Sequence, residues 1–366
     1  MDFFLNYGRI NCSSPFLSNV TKEGAPSNLR KTGAIIAIFL FLIITILSCL
    51  YLDLQIYADQ PAAIETSEKV VMVLPGQGFK AFAQRLHQDG IIRHPSKFEL
   101  LARLKGHDKI IKAGEYTLSS AMPPSTILSI LVNGKVRLHK FTVPEGYNLK
   151  QIAALAARSG YATDDDFLKA ATNADLVHAM EIEAETFEGY LFPDTYNFPK
   201  GSSPEMIIST MVKRFWSVFK PEWKNRANTL KLSVHQVVTF ASLIEKETGA
   251  AFERPLIASV FHNRLKRRMR LESDPTVIYG LKDYNGNLTR KHLSMPTPYN
   301  TYTISGLPPG PIASAGVDAI MAALYPADTQ FLYFVSKKDG THQFSTNFKD
   351  HNRAVSEYQL RRKRIQ

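Results

Sequence analysis

Ser233-Val234-His235-Gln236-Val237-Val238-Thr239-Phe240-Ala241-Ser242-Leu243-Ile244-Glu245-Lys246-Glu247-Thr248 is the stretch from which the fold can be read. Val234, Val237, Val238, Ala241 and Ile244 recur at helical spacing and define a buried stripe, so a strongly apolar helix is expected from Ser233 to Glu247. The same spacing predicts helices over Leu149 to Ala157, Asp165 to Ala171, Pro204 to Phe219, Pro255 to Arg267, Val317 to Leu324 and Lys349 to Arg361. Phe331-Leu332-Tyr333-Phe334-Val335 and His342-Gln343-Phe344-Ser345, joined through Asp339-Gly340, read as a hairpin. Residues 141–366 are therefore expected to form a helix-rich domain of the α+β class.

Upstream, Val70 to Pro75 reads as a strand closed by Pro75-Gly76-Gln77-Gly78. Two helical patterns follow, one through Phe79, Phe82, Leu86 and Ile91 and one opened by Pro95. Lys112 to Leu118 is strand-like, and a third helix covers Ser125 to Leu131. Strand, two helices and strand match the pattern of a LysM-like βααβ module over 70–140, a unit associated with N-acetylglucosamine polymers, although many small α+β domains share that order.

Before this module, Thr32 to Leu52 contains no charged residue and is long enough to cross a bilayer as a helix. Arg9, Lys22, Arg30 and Lys31 precede the span, while Asp53 and Asp59 follow it. The positive-inside rule then places residues 1–31 in the cytoplasm and everything after about residue 53, the 53–69 linker included, outside. The bulky Leu50-Tyr51-Leu52-Asp53 is unlike a signal-peptidase site, and Cys49 sits too deep in the span for lipoprotein processing. The other cysteine, Cys12, falls on the cytoplasmic side, so the exported part can hold neither a disulfide nor a thiolate metal site.

The chain has 366 residues, 45% of them hydrophobic, and its 44 Lys and Arg against 33 Asp and Glu give a formal charge of +11. Attraction to polyanions follows, but Lys266-Arg267-Arg268 is too short a run to indicate nucleic acid, which is also absent from the expected compartment. The sequence contains no phosphate-cradling Gly loop, no zinc-type His spacing and no Gly-x-Ser-x-Gly turn, so neither a metal nor a cofactor is expected.

Acidic residues in distinctive surroundings remain. At about 100° per residue Glu245 projects near the apolar stripe, while Glu247 lies on a flank shared with Phe240 and Leu243. A carboxyl in such surroundings resists ionisation and approaches the pKa of a general acid; equally, both glutamates read as ordinary polar residues at a helix end. Phe187-Glu188-Gly189-Tyr190-Leu191-Phe192-Pro193-Asp194-Thr195-Tyr196 groups aromatics with two acids, as a sugar site requires and as a packed core loop also allows.

Together with Asp274-Pro275-Thr276-Val277-Ile278-Tyr279-Gly280, Tyr299-Asn300-Thr301-Tyr302, Gly306-Leu307-Pro308-Pro309-Gly310-Pro311-Ile312 and Tyr333-Phe334-Val335, these segments resemble the MltG/YceG type of endolytic murein transglycosylase. The resemblance covers nearly all of the chain after the linker. It implies an inner-membrane anchor, a LysM-like domain and a YceG-like catalytic domain facing the periplasm. It assigns catalysis to the second Glu of Glu-Lys-Glu, here Glu247, whereas helix geometry alone favours Glu245 as the more buried acid; Glu245 becomes its supporting partner.

The implied reaction cuts peptidoglycan between N-acetylmuramic acid and N-acetylglucosamine in nascent strands and leaves 1,6-anhydro ends, which would limit strand length. Because the substrate supplies the nucleophile, one carboxyl serves as acid and then base. Tyr190, Asp194, Asn300 and Tyr302 are the expected substrate-positioning groups, and peptidoglycan synthases the expected protein partners. Two other readings stay open: a silent wall-binding scaffold for synthases, and a hydrolase pairing Glu247 with Glu188 or Asp194.

Overall fold

The computed structural model describes residues 27–65 and 67–360, with side chains from Lys31 onward. Arg9, Cys12 and Lys22, which carry part of the expected orientation, lie outside the described residues, as does Arg361. Helix α1 spans Ser27–Asp59 and is, among the described residues, the one helix long and apolar enough to cross a membrane. It does not stop at Leu52. Leu54, Tyr57 and Ala58 are buried, the Tyr57 hydroxyl donates to His94 O at 3.0 Å and Lys97 pairs with Asp53 at 2.6 Å, so what reads as a linker begins as helix.

The chain divides into two compact units. The first holds α1, α2 (Phe79–Gln88), α3 (Pro95–Leu104) and the segment from Ser119 to Ser129. Its core is built from the residues whose helical spacing is visible in the sequence: Phe82, Leu86, Phe98 and Leu101 are buried, and Phe79 stacks on Phe98 at 5.4 Å. Strands β1 (Glu68–Val73) and β2 (Gly114–Ser119) pair with each other; residues 68–77 and 111–118, and so nearly all of both strands, belong to the second unit. The strand–helix–helix–strand order is thus present, and α4 (Pro124–Asn133) follows it.

The second unit continues with β3 (Leu138–Thr142), α5 (Leu149–Arg158), α6 (Asp164–Ala171) and α7 (Ala174–Ala179). After these come β4 (Thr195–Pro199), α8 (Pro204–Val218), α9 (Pro221–Thr229) and α10 (Val234–Glu247). The remaining elements are α11 (Arg254–Lys266), α12 (Asp274–Gly280), α13 (Arg290–Ser294), α14 (Val317–Leu324), β5 (Tyr333–Ser336), β6 (His342–Ser345) and α15 (Phe348–Val355). Helices α5, α6, α8, α10, α11 and α14 lie where apolar periodicity places them, and β5 and β6 form the expected antiparallel hairpin. The antiparallel pairing of β3 with β4, Leu138 opposite Pro199 through Thr142 opposite Thr195, joins distant segments that local pattern cannot connect.

Helix α10 is the axis of this core. Ser233 and Gln236 close a reciprocal capping box at its start, and the chain turns extended at Thr248. Burial reaches beyond the expected stripe to Phe240 and Leu243 and to the hydroxyls of Thr239 and Ser242. Those hydroxyls are satisfied by His235 O at 2.8 Å and Thr239 O at 2.7 Å, and Ser242 Oγ also accepts the Ile312 N–H at 3.0 Å.

Candidate active site

The last turn of α10 delivers two carboxyls to different surroundings. Glu245 meets Arg254 Nη2 at 3.1 Å, with 6% and 9% of the two side chains exposed, and accepts the Gly316 N–H at 3.1 Å. It joins the end of α10 to the starts of α11 and α14.

Glu247 lines a cavity of about 230 Å³ with Arg264, Glu272, Asp274, Tyr302 and His351. Its Oε1 accepts a short hydrogen bond from the Ser273 hydroxyl. Burial pushes its carboxyl up to about 7; the Ser273 bond opposes that rise and the nearby Asp274 charge adds to it. Near neutral pH it can therefore both hold and release a proton.

Ser273 is placed from below by the motif around Asn300. Its N–H donates to Thr301 Oγ1 at 2.9 Å, its carbonyl accepts from Thr276 Oγ1 at 2.7 Å, and Thr301 and Thr276 share a hydroxyl contact at 2.9 Å. The fully buried Asn300 donates to the carbonyls of His292, Leu293 and Met295 and accepts the Tyr302 N–H at 2.9 Å. It thereby sets the loop that carries Tyr302 into the cavity.

Leu271 and Phe334 add two apolar side chains, and the remaining walls are polar. The Tyr302 hydroxyl donates to Asp274 Oδ1 at 2.6 Å, and burial followed by Asp274 pushes its phenol far up, so it stays a donor. Arg264 pairs with Glu272 at 2.9 Å and donates to the carbonyls of Arg270, Leu271 and Leu332. His351 is held below its ordinary pKa by burial first and by Arg264 second.

Of the expected site residues, Glu247 and Tyr302 meet in this cavity. Tyr190 does not line it: the ring is buried, stacks on His235 and bonds His235 Nδ1 at 3.0 Å. Asp194 does not line it either, pairing instead with Arg214 at 2.8 Å. Sequence reasoning passed over Ser273, Arg264, Asp274 and His351 as site residues. Asp274 opens the Asp274-to-Gly280 segment and Ser273 immediately precedes it; Arg264 and His351 carry no local signal. Among the described residues no group of three or more His, Cys, Asp or Glu could hold a metal ion.

Residues 71–357 match the YceG-like family. The chain belongs to that family. It is 34% identical over 316 residues to the endolytic murein transglycosylase of Bacillus subtilis, an alignment that takes in 82% of this chain and 87% of the relative. It is 29% identical to the endolytic murein transglycosylase of Streptococcus pneumoniae serotype 2, covering 84% of this chain and 62% of that longer protein. The 2.6 Å crystal structure of a yceG-like protein from Listeria monocytogenes superposes with a TM-score of 0.55 at 34% identity, over 79% of this chain and 99% of that one. In this YceG-like chain the acid helix, the Ser273 loop and the Tyr302 loop all fall within the matched residues.

Proposed function

We propose that this YceG-like protein is a lytic transglycosylase that cuts peptidoglycan glycan strands internally, with Glu247 as its acid and base. The observation carrying the reading is a carboxyl raised to about 7 at the edge of a polar cavity, with a hydroxyl donor fixed on it. Protonated Glu247 gives its proton to the oxygen between N-acetylmuramic acid and N-acetylglucosamine, and the glycosidic bond breaks. The resulting carboxylate takes the proton of the muramoyl C6 hydroxyl as that oxygen bonds to C1, which closes the 1,6-anhydro ring. The Ser273 hydroxyl holds the carboxylate after the first transfer, and Tyr302, Asp274 and Arg264 meet sugar hydroxyls. Asn300 acts through the loop it holds, while Tyr190 and Asp194 serve packing and strand placement.

A single span with the N-terminus in the cytoplasm would tether the enzyme outside the membrane, where synthases release new strands. The β1–α2–α3–β2 segment, LysM-like in its order, would grip the strand, and cutting there would set glycan length. Mass spectrometry of products from purified peptidoglycan tests the reaction. Anhydro-ended fragments are expected from the native chain and a loss of at least about 100-fold in Glu247→Gln, the scale of a general acid's contribution. Reducing ends would mean a hydrolase, and no cleavage by either protein a scaffold.

A further inference from the structure

A second cavity, of about 690 Å³, three times the volume of the one at Glu247, has no role in the chemistry above. The two lie on either side of the same element ends: Lys246 lines the larger and Glu247 the smaller, as do Pro275 and Asp274 respectively. A ligand held at Glu247 thus has a chamber beside it for whatever it carries.

The lining of that chamber is particular. Leu149, Leu168, Ile278 and Ile312 make an apolar floor, and Lys150 and Lys246, both exposed, bring two ammonium groups to it. Asn148 and Gln151 use their side-chain oxygens in the reciprocal cap of α5, which leaves their amide nitrogens to donate. The acid present, Glu188, offsets the lysines only in part: burial pushes its carboxyl up to about 7, although the Lys150 charge is among the influences that lower it. It is 6% exposed and engaged by the Leu149 N–H at 3.1 Å and the Tyr279 hydroxyl at 3.0 Å.

We propose that this chamber receives the acidic peptide carried on the lactyl group of a muramoyl residue while the sugar itself lies against Glu247. The assignment rests on the function proposed above. Charge selects the occupant: a neutral run of sugars has no use for two cations over an apolar floor, whereas an alanine-containing peptide with free carboxylates matches both. The peptide would lie along the start of α5, its carboxylates toward Lys150 and Lys246 and its methyl groups on the floor.

The test uses the full chain in detergent micelles with Glu247→Gln, so that nothing is turned over, and calorimetric titration with two probes: N-acetylmuramic acid and a synthetic muramoyl pentapeptide containing a γ-linked Glu. The peptide is expected to tighten binding by about tenfold, the scale of one charge-assisted contact. Adding Lys150→Glu is expected to abolish that difference, while Lys213→Glu, an equal charge change on α8 outside the chamber, keeps it. Equal affinities for the two probes, or a difference that Lys150→Glu leaves in place, would overturn the proposal and leave the chamber to flanking sugars. Binding is read without cleavage, so a failed transglycosylase assay and a failed peptide site are separate results.

Discussion

Glu247 and Glu188 are both carboxyls that burial pushes up to about 7, and both accept a hydroxyl that opposes the rise, Ser273 in one case and Tyr279 in the other. The folded chain therefore holds these protons at a pH where an unfolded carboxyl, with its pKa near 4.3, has lost them. Their contribution to stability is full below about pH 4 and is lost as pH rises through 7, by about 3–4 kcal/mol for each group. Denaturant midpoints should accordingly fall between pH 5 and pH 8, and Glu188→Gln should flatten that slope without removing the alkaline limb of activity. Ser273→Ala removes the bond that favours ionised Glu247, so the alkaline limb of kcat/KM is expected to move upward in pH, with a rate loss of about tenfold from the misplaced carboxyl. A limb that stays put would detach Ser273 from the acid.

Among the elements, α10 matters because its end must hold two carboxyls in different surroundings. Arg254 at the start of α11 neutralises Glu245, while Glu247 one turn-flank away keeps no cationic partner. Replacing Arg254 with Met leaves Glu245 buried without its counter-charge and should cost about 3–5 kcal/mol by denaturant titration. The same helix is approached at Val238 by Gly189, whose φ of +80° and whose closeness to Pro311 leave no room for a side chain. A Cβ there would come within 2.5 Å of Pro311 Cβ and 3.0 Å of Val238 Cγ1. The glycine in the Glu-Gly-Tyr motif thus belongs to packing. Most helices of the second unit were legible because each buries one face at the 3.6-residue period; the β3–β4 pair was not, because a pairing between segments so far apart leaves no periodic mark in either.

At the scale of the whole molecule, a basic chain with one long apolar helix is compatible with a single-pass anchor, and the charges flanking the helix predict its direction. Alkaline phosphatase fused after Gln366 should be active in a bacterial host and the same enzyme fused before Met1 inactive; the reverse pattern would place the catalytic unit in the cytoplasm, away from any wall polymer.

Sequence by itself determined the long apolar N-terminal helix, the helix-rich α+β composition, the family and the Glu-Lys-Glu pair, because hydrophobic length, apolar period and contiguous motifs are local properties of a chain. Which glutamate faces a cavity was a tertiary decision. Helix geometry pointed to Glu245 as the more buried acid, yet Arg254, nine residues on, holds it in an ion pair away from the cavity. Glu247 acquires its raised pKa from burial under packing brought from other segments, with Asp274 adding to the rise and the Ser273 hydroxyl opposing it. Tyr190, Asp194, Asn300 and Tyr302 looked alike as donors and acceptors in motifs, and only the folding of their loops separated a cavity wall from a buried tie. Burial and partner are properties of the assembled chain, so a carboxyl's chemistry is written there and its identity alone in the sequence.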